Sequence, residues 1–445
     1  FKIKKLKMKK LDKNQELYKE AKKIIPNGTM LFSKKPEIYL PGKWPTYFSK
    51  AKNAYVWDLE NRKYLDMYFG VGQNTLGYAN VEVDDAVIKS NKTGNMSSLN
   101  SFQEVELAKK IIKLHKWSGF IRFAKSGGEA NSISIRLARA ITNKDKIAIC
   151  GYHGWHDWYL AANIKSSKNL NDHHIKGLKT DGVPKALKDT VHPFRMNNFE
   201  DLKKIKKIKN LAAIKMEVFR EKAPDIKFLK EIRNFCNKNK IILIFDECTS
   251  GFRETYGGIH LNYKIYPDFI ILGKALGNGY PLTAVLRKKK YLNKSSNCFI
   301  SSTFWTEKSG AVAALKVLEI MKRDKSYIKI KKIGKNIKKL WENLSKKHNL
   351  KIKISGLDSI PSFQFISKNH LAYKTYLTQE MLKKKILASN QIYVSIAHKD
   401  MHIKKYKIQL DKIFETISMC EDKKISINKI LDTKICESGF KRLTN

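Results

Sequence analysis

Short hydrophobic runs that are apolar on both faces alternate with amphipathic segments through the middle of the chain. The runs predicted as strands cover residues 120–123, 147–150, 211–216, 241–245, 269–272 and 283–286. Strands of this kind lie in parallel sheets that helices cover on both faces. The pattern therefore predicts an α/β fold, with a mostly parallel central sheet flanked by helices.

The two ends of the chain show a different pattern. Residues 11–24 predict a helix, and short antiparallel strands follow it. Near the other end, a helix predicted over residues 311–321 is followed by mixed, lysine-rich helical and strand segments. We therefore expect a smaller α+β domain built from both chain ends, residues 1–70 and 316–445, beside a large domain over residues 71–315.

The charge of the chain is strongly positive. The 445 residues include 88 Lys+Arg against 41 Asp+Glu, a formal net charge of +47. Only 11 of these cations are arginine, and the lysines are spread along the whole chain. This distribution favours a general lysine bias over a nucleic-acid surface, which would concentrate its cations. A basic nucleic-acid-binding protein remains the alternative of another class, and it would show steeply salt-dependent binding.

Two further features of the composition concern the compartment. No apolar run approaches the ~20 residues of a membrane helix. The six cysteines form no CxxC pair and have no histidine pairs nearby, which argues against a metal site or a disulfide framework. We therefore expect a soluble, cytoplasmic protein that binds no metal.

A glycine pair follows the first predicted strand of the large domain. Ser126, Gly127 and Gly128 come between that strand and a helical pattern over residues 132–140. Glycines before a helix leave backbone N–H groups accessible at the positive end of the helix dipole, where a phosphate binds well. A plain strand-to-helix turn is the alternative.

Two charged residues follow predicted buried strands, at the edge of the sheet where ligands bind. Asp246 follows the run 241–245, and Lys274 follows the run 269–272 after one glycine. Burying either charge is costly unless it is paired or chemically used. The pair could therefore form a salt bridge with each other, or each could serve a ligand.

An aromatic segment follows a third strand, over residues 151–156, and supplies ring faces at the same edge. A phosphate site, an aromatic plane, a buried carboxylate and a desolvated lysine together are what pyridoxal phosphate requires. The combination predicts this cofactor, although each feature alone is weak.

These residues resemble a known family, the fold-type I, class III aminotransferases, and most closely its glutamate-1-semialdehyde aminomutase-like branch. The resemblance extends from Ile25 to the end of the chain, in the order of the family. The segments that carry it are residues 123–131, 151–157, 245–253, 272–279 and 301–305.

The resemblance implies roles for the residues already singled out. Lys274 would hold the cofactor as a Schiff base and then move the proton between the substrate carbon and the cofactor. Asp246 would bond the pyridinium nitrogen, Ser126–Gly128 would bind the phosphate, and Tyr152 would stack on the ring. Thr303 would reach the phosphate of the neighbouring subunit, which implies a homodimer with shared active sites.

Four more residues are candidates for substrate contact or for support of the site. Glu217 matches a family glutamate, but Val218 replaces the proline that usually follows. Glu217 and Arg220 could hold the site together as an ion pair or could contact substrate. His153 lies in the aromatic segment, where packing or hydrogen bonding beside the cofactor is favoured over metal binding. Lys34 stands where the aminomutase branch usually offers an arginine for the substrate carboxylate.

The resemblance implies an aminotransferase that moves an amino group from an amino donor to a carbonyl acceptor. The second hypothesis is an intramolecular aminomutase of the glutamate-1-semialdehyde type. Lys34 lacks the bidentate fork of arginine, which argues against that substrate. Related enzymes act on surface-polysaccharide or amino-sugar-like building blocks, so a sugar-like substrate is the interpretation that we favour.

Overall fold

The computed structural model describes residues 12–173, 175–291 and 297–438. The strands are β1 (Phe48–Lys52), β2 (Tyr55–Asp58), β3 (Lys63–Asp66), β4 (Phe120–Ala124), β5 (Lys146–Cys150), β6 (Val191–Pro193), β7 (Leu211–Glu217), β8 (Ile242–Glu247), β9 (Phe269–Leu272), β10 (Thr283–Arg287), β11 (Ile352–Ser355), β12 (Ser362–Phe365) and β13 (Ile386–Leu387). The helices are α1 (Lys13–Ile24), α2 (Phe69–Gly72), α3 (Val81–Asn91), α4 (Phe102–Leu114), α5 (Gly127–Thr142), α6 (Asp157–Leu160), α7 (Phe199–Lys206), α8 (Ile226–Lys238), α9 (Ser309–Asp324), α10 (Ser326–Lys347), α11 (His370–Lys383), α12 (Asp400–Glu421) and α13 (Ile427–Ile430).

A seven-stranded sheet forms the centre of the molecule, in the order β4-β10-β9-β8-β7-β5-β6. The neighbours from β9 to β6 pair in parallel, whereas β10 runs antiparallel to both β4 and β9. The prediction of a mostly parallel central sheet is therefore confirmed. Strand β6 was not predicted, because three residues that end in a proline are too short to show a strand period.

The two faces of this sheet pack into different hydrophobic clusters. In β8, Leu243 and Phe245 enter one cluster, whereas Ile242 and Ile244 enter a second cluster with residues of helix α5. Because side chains alternate along a strand, Asp246 continues the α5 face and Glu247 the opposite face. The alternation therefore places the Asp246 carboxylate beneath the first turn of α5.

A four-stranded sheet brings the two ends of the chain together, in the order β1-β2-β3-β13. Strands β1, β2 and β3 form the antiparallel set that we expected near the N-terminus. The C-terminal strand β13 adds to β3 in parallel, with Ile386 opposite Leu65, so the sheet is mixed and not purely antiparallel. The boundaries of the two domains stay a prediction.

Helix bounds differ from the predicted ones at both ends, by up to five residues. Helix α5 begins at Gly127, five residues before the predicted helical pattern, because Ser126 caps it. The helix expected over 311–321 extends over Ser309–Asp324. In the part of the chain that the structure describes, no helix is long and apolar enough to cross a membrane.

Candidate active site

A cavity of about 430 Å³ opens where the carboxyl ends of β5, β7, β8 and β9 meet the N-terminus of α5. It brings together many of the residues that the sequence singled out. Those that line it are Ser126, Gly127, Gly128, Tyr152, Glu217, Asp246 and Lys274. Residues that are far apart in the sequence therefore meet at one site, as expected for ligand sites in open α/β sheets.

The anion-binding part of the cavity is the first turn of α5. The Ser126 hydroxyl accepts a hydrogen bond from the Glu129 backbone N–H at 3.3 Å, and the Glu129 carboxylate accepts one from the Ser126 N–H at 2.7 Å. This capping box leaves the N–H groups of Gly127 and Gly128 for a ligand. A Cβ on Gly128 would lie 2.9 Å from His156 Nε2, so only glycine leaves this approach open. The turn therefore has the properties of a phosphate site.

Asp246 is buried at the floor of the cavity, where it is held as a carboxylate. His153 Nδ1 donates to its Oδ2 at 2.8 Å, and the Cys248 backbone N–H donates to its Oδ1 at 3.1 Å. Burial raises the pKa of Asp246, but the His153 hydrogen bond and the charge of Lys215 outweigh burial and hold this pKa well below its usual range. The ion pair of Asp246 in the described chain is with His153, not with Lys274.

Lys274 follows β9 in a strained backbone conformation, with φ of +41°. Its Nζ donates to Thr249 Oγ1 at 2.9 Å. Burial, together with the nearby charges of Arg220 and Arg253, lowers the pKa of Lys274 to about 8. A minor but much increased fraction of the amine is therefore neutral near physiological pH, and the neutral amine is the form that reacts with a carbonyl.

Glu217 connects the aromatic segment to Arg220. Its Oε1 accepts from Arg220 Nη1 at 2.8 Å, and its Oε2 accepts from the Tyr152 backbone N–H at 3.0 Å. The chain can pass this close because residue 151 is glycine, with φ of +107°, and a Cβ there would lie 2.6 Å from Glu217 Oε2. Burial lowers the pKa of Arg220, but the charge of Glu217 raises it above its usual range. The Glu217–Arg220 pair therefore fixes the backbone position of Tyr152.

Four candidate residues lie outside the lining of this cavity. His153 and Arg220 hydrogen-bond the lining residues Asp246 and Glu217. Lys34 is exposed in a short turn over Phe32–Lys34. Thr303 is also exposed, at the start of a turn over Thr303–Thr306. That turn nevertheless packs beside α5, because Trp305 Nε1 donates to Glu129 Oε1 at 3.0 Å. The roles of Lys34 and Thr303 stay predictions.

Two completely buried cations lie near the site, Lys215 and Arg253, and sequence reasoning missed Lys215. Arg253 donates from its guanidinium to the carbonyl oxygens of Thr249 and Gly72, which joins the strand-end loop to α2. Arg253 is the last residue of the segment 245–253, so the sequence pointed to it. Its role in holding the loop to α2 could not be predicted from the sequence. Lys215 interrupts an otherwise apolar run, and that interruption was the signal that could have revealed it.

A family comparison decides the class of the protein. The model of the family described as Aminotransferase class-III matches residues 41–395. The chain belongs to the class-III aminotransferases. This result confirms the resemblance stated above and the enzyme class that it implied.

Two curated relatives of this aminotransferase cover most of its length. The 3-aminobutyryl-CoA aminotransferase of Cloacimonas acidaminovorans is 30% identical over 380 residues, which cover 83% of this chain and 87% of that protein. The glutamate-1-semialdehyde 2,1-aminomutase of Methanosphaera stadtmanae is 30% identical over 388 residues, with the same coverage of 83% and 87%.

Solved structures support the fold of this aminotransferase. The FumI protein of Sphingopyxis sp. MTA144, in its PLP internal aldimine form, matches with a TM-score of 0.83 at 23% identity, over 94% of this chain and 99% of that one. A glutamate-1-semialdehyde aminomutase from Pseudomonas aeruginosa PAO1 matches with a TM-score of 0.77 at 16% identity, over 90% of this chain and 93% of that one.

Pyridoxal 5'-phosphate is the cofactor of this aminotransferase, and the residues of the cavity fit it. The glycine turn offers N–H groups at the start of α5, with no room beside Gly128 for a Cβ unless His156 moves, Asp246 is a buried carboxylate, and Lys274 is a partly neutral amine. When bound, the cofactor supplies the electron sink for amino-group transfer between a small-molecule amino donor and a carbonyl acceptor.

Proposed function

We propose that Lys274 is the nucleophile of this aminotransferase and also its proton carrier. The observation that carries this proposal is the position of Nζ in the same cavity as the Asp246 carboxylate and the α5 turn. Thr249 orients the amine through the 2.9 Å hydrogen bond, and burial keeps part of it neutral. With the cofactor bound, the freed amine would take the proton from the substrate carbon and return it to the cofactor.

The other cavity residues bind and polarise the cofactor. Asp246 would bond the ring nitrogen of the cofactor and keep a proton there, since His153 holds the carboxylate ionised. Ser126, Gly127 and Gly128 bind its phosphate through the first turn of α5. Tyr152 lies against its ring, in a position that Glu217 fixes through the backbone.

The active site belongs to a homodimer. Large hydrophobic side chains are exposed near the turn that contains Thr303, and extensive apolar exposure is typical of an interface. The side chains are those of Met96, Leu99, Phe102, Val105, Phe299 and Phe304. Pairing of this face in two copies would let Thr303 reach the phosphate site of the partner. All six cysteines are unpaired thiols, in keeping with a cytoplasmic enzyme.

The substrate is a sugar-like carbonyl compound or a polysaccharide precursor. In the described part of this chain no arginine lines the cavity. Lys125 does line it, but the Glu307 carboxylate neutralises its ammonium group at 2.7 Å. Further side chains of the lining, Gln73, Asn131 and Trp155, are uncharged. Such a lining binds hydroxyl groups and ring faces more readily than it binds a carboxylate.

A glutamate-1-semialdehyde aminomutase is the second candidate, favoured by the 30% identity to the Methanosphaera stadtmanae enzyme. The two functions differ in their products. An aminotransferase releases a free oxo product from the donor before it binds the acceptor, whereas an aminomutase returns an isomer of its own substrate.

A single-turnover experiment distinguishes these candidates. The purified, cofactor-loaded protein is mixed with amino sugars, small primary amines or glutamate-1-semialdehyde, and the visible absorbance and the products are followed. We expect amino-sugar donors to bleach the absorbance and leave one equivalent of oxo product. Conversion of glutamate-1-semialdehyde to its isomer, with no reaction of the amino sugars, would instead establish the aminomutase. A protein unreactive toward every amine would contradict both functions.

A further inference from the structure

A completely buried lysine lies inside the central sheet. Lys215 sits in the middle of β7, with apolar neighbours on both sides along the strand. The hydrogen-bond partner of its Nζ is the Ser134 hydroxyl of α5, at 3.3 Å. A hydroxyl compensates little of the cost of burying an ammonium group, so a nearby negative charge must balance it.

The pairing of β7 with β8 identifies that charge. Lys215 lies opposite Ile244, and Glu217 lies opposite Asp246. Alternate residues of neighbouring strands share one face, so Lys215, Glu217 and Asp246 all face α5. Lys215 and Asp246 are diagonal neighbours across the two strands, close enough for a long side chain to interact with the carboxylate.

The depth of the lysine decides what its charge can do. Asp246 and Glu217 line the cavity, whereas Lys215 lies two residues further into the sheet and does not line it. Its positive charge is therefore behind the carboxylate, on the side away from the cofactor. A cation in that place stabilises the ionised form of the Asp246 carboxylate. A proton shared between this carboxylate and the ring nitrogen of the cofactor then favours the nitrogen, because that position is farther from the positive charge of Lys215.

The other charged groups near Asp246 do not offer this arrangement. His153 contacts the carboxylate directly, at 2.8 Å. Arg220 is engaged by Glu217 at 2.8 Å, and Lys274 lies in the cavity itself.

We propose that Lys215 is a positioning residue that acts through Asp246: from behind the carboxylate, it keeps the proton on the ring nitrogen of the cofactor. This inference rests on the assignment of Asp246 to that nitrogen under the proposed function. Lys215 would thus be a second residue that controls the electron sink, on a different strand from Asp246.

The test separates this role from a structural one. In Lys215→Met the side chain keeps most of its length and loses its charge. The substitution removes the desolvation cost of the ammonium group together with its attraction to Asp246, which keeps its hydrogen bonds to His153 and the Cys248 N–H, so the melting temperature of the cofactor-free protein should change little. The dissociation constant for pyridoxal phosphate should rise about tenfold, because one supporting charge near the site is lost.

A spectroscopic measurement on the loaded protein completes the test. Nitrogen NMR with isotope-labelled cofactor reports whether the ring nitrogen carries a proton. In Lys215→Met we expect this signal to move toward the unprotonated value, in the same direction as in Asp246→Asn. Lys215→Arg keeps the charge and should keep the protonated signal. Ser134→Ala removes only the hydroxyl and serves as the matched control, with cofactor affinity close to that of the unaltered protein.

Each outcome has one meaning. A Lys215→Met protein with unchanged nitrogen signal and unchanged cofactor affinity would overturn the proposal, provided that Asp246→Asn changes both. No effect in Asp246→Asn would instead refute the assignment of Asp246 on which the inference rests. Lys215→Gln replaces Lys215→Met in the same comparison if the methionine variant does not fold.

Discussion

At the scale of single residues, the chemistry of the cavity depends on which groups are charged. The pKa of Lys274 is lowered, and that of Asp246 is held down although the carboxylate is buried. The two shifts have different causes, because burial acts against both charges while His153 and Lys215 protect only that of Asp246. An amine that can be neutral therefore coexists in one cavity with a carboxylate that stays ionised.

Loading of the cofactor should follow the protonation of Lys274. Below pH about 8 the amine is increasingly protonated, so the rate should fall up to tenfold per pH unit, and above that pH it should level off. The measurement is the rise of visible absorbance after mixing cofactor-free protein with pyridoxal phosphate at several pH values. A rate that continues to rise beyond pH 10 would show that Lys274 has the ordinary lysine pKa.

The stability of the protein should depend on the same group. The unfolded chain binds the Lys274 proton up to its ordinary pKa of 10.5, whereas the folded chain releases it near pH 8. The contribution of Lys274 to stability therefore rises with pH through this window.

The pair of Glu217 and Arg220 should be important for stability. In Glu217→Gln the largely buried guanidinium of Arg220 loses the carboxylate that it pairs with at 2.8 Å, which costs about 3–5 kcal/mol. Denaturant unfolding of the cofactor-free protein measures this loss. The matched control is Glu200→Gln, since Glu200 pairs with Lys203 on an exposed helix surface and its loss should leave the stability unchanged. Equal stability of the two variants would contradict the role given to Glu217.

At the scale of elements, the first turn of α5 is the part of the site that the sequence predicted best. Two glycines after a strand indicated an anion site, and the structure places them in the cavity. The helix start was predicted too late, since the capping box of Ser126 with Glu129 was not recognised in the motif. The strand that carries Asp246 was predicted within two residues of its observed bounds, because a continuous apolar run leaves little choice.

Gly128→Ala should weaken cofactor binding without weakening the fold. Alanine is favoured over glycine in a helix, but its Cβ would lie 2.9 Å from His156 Nε2 and beside the anion approach. We expect a dissociation constant for pyridoxal phosphate at least about tenfold higher, measured by fluorescence titration of the cofactor-free protein. Gly127→Ala should have a smaller effect, since its Cβ meets only Cys248 Sγ, at 3.2 Å. A Gly128→Ala protein with unaltered affinity would refute the phosphate assignment.

At the scale of the whole molecule, the sheet and the enzyme class could be predicted, but the contacts between distant segments could not. The apolar runs predicted the main strands, and the motifs that follow these runs predicted the cofactor. Strand β13 escaped prediction because two residues that pair with β3 across the length of the chain carry no local pattern. The His153–Asp246 contact was missed for the same reason, since it joins the aromatic segment to the end of β8, 93 residues further along the chain.

The exposed apolar face gives a prediction about assembly. Leu99 is 83% exposed, and Leu99→Asp should shift the proposed homodimer toward monomer. The monomer should also bind pyridoxal phosphate more weakly, because it lacks the phosphate contact from Thr303 of the other copy. Analytical ultracentrifugation and cofactor titration measure both effects. Ile408→Asp, on α12, is the control that should leave a dimer. A monomeric unaltered protein with full cofactor affinity would contradict the shared site.

The central claim is that Lys274 is the lysine that carries the cofactor. The most direct measurement is borohydride reduction of the purified, cofactor-loaded protein, followed by peptide mass mapping of the pyridoxyl group. We expect a single modified peptide with the adduct on Lys274, and no adduct in Lys274→Ala. An adduct on another lysine, such as the buried Lys215, or a protein that takes up no pyridoxal phosphate, would contradict it.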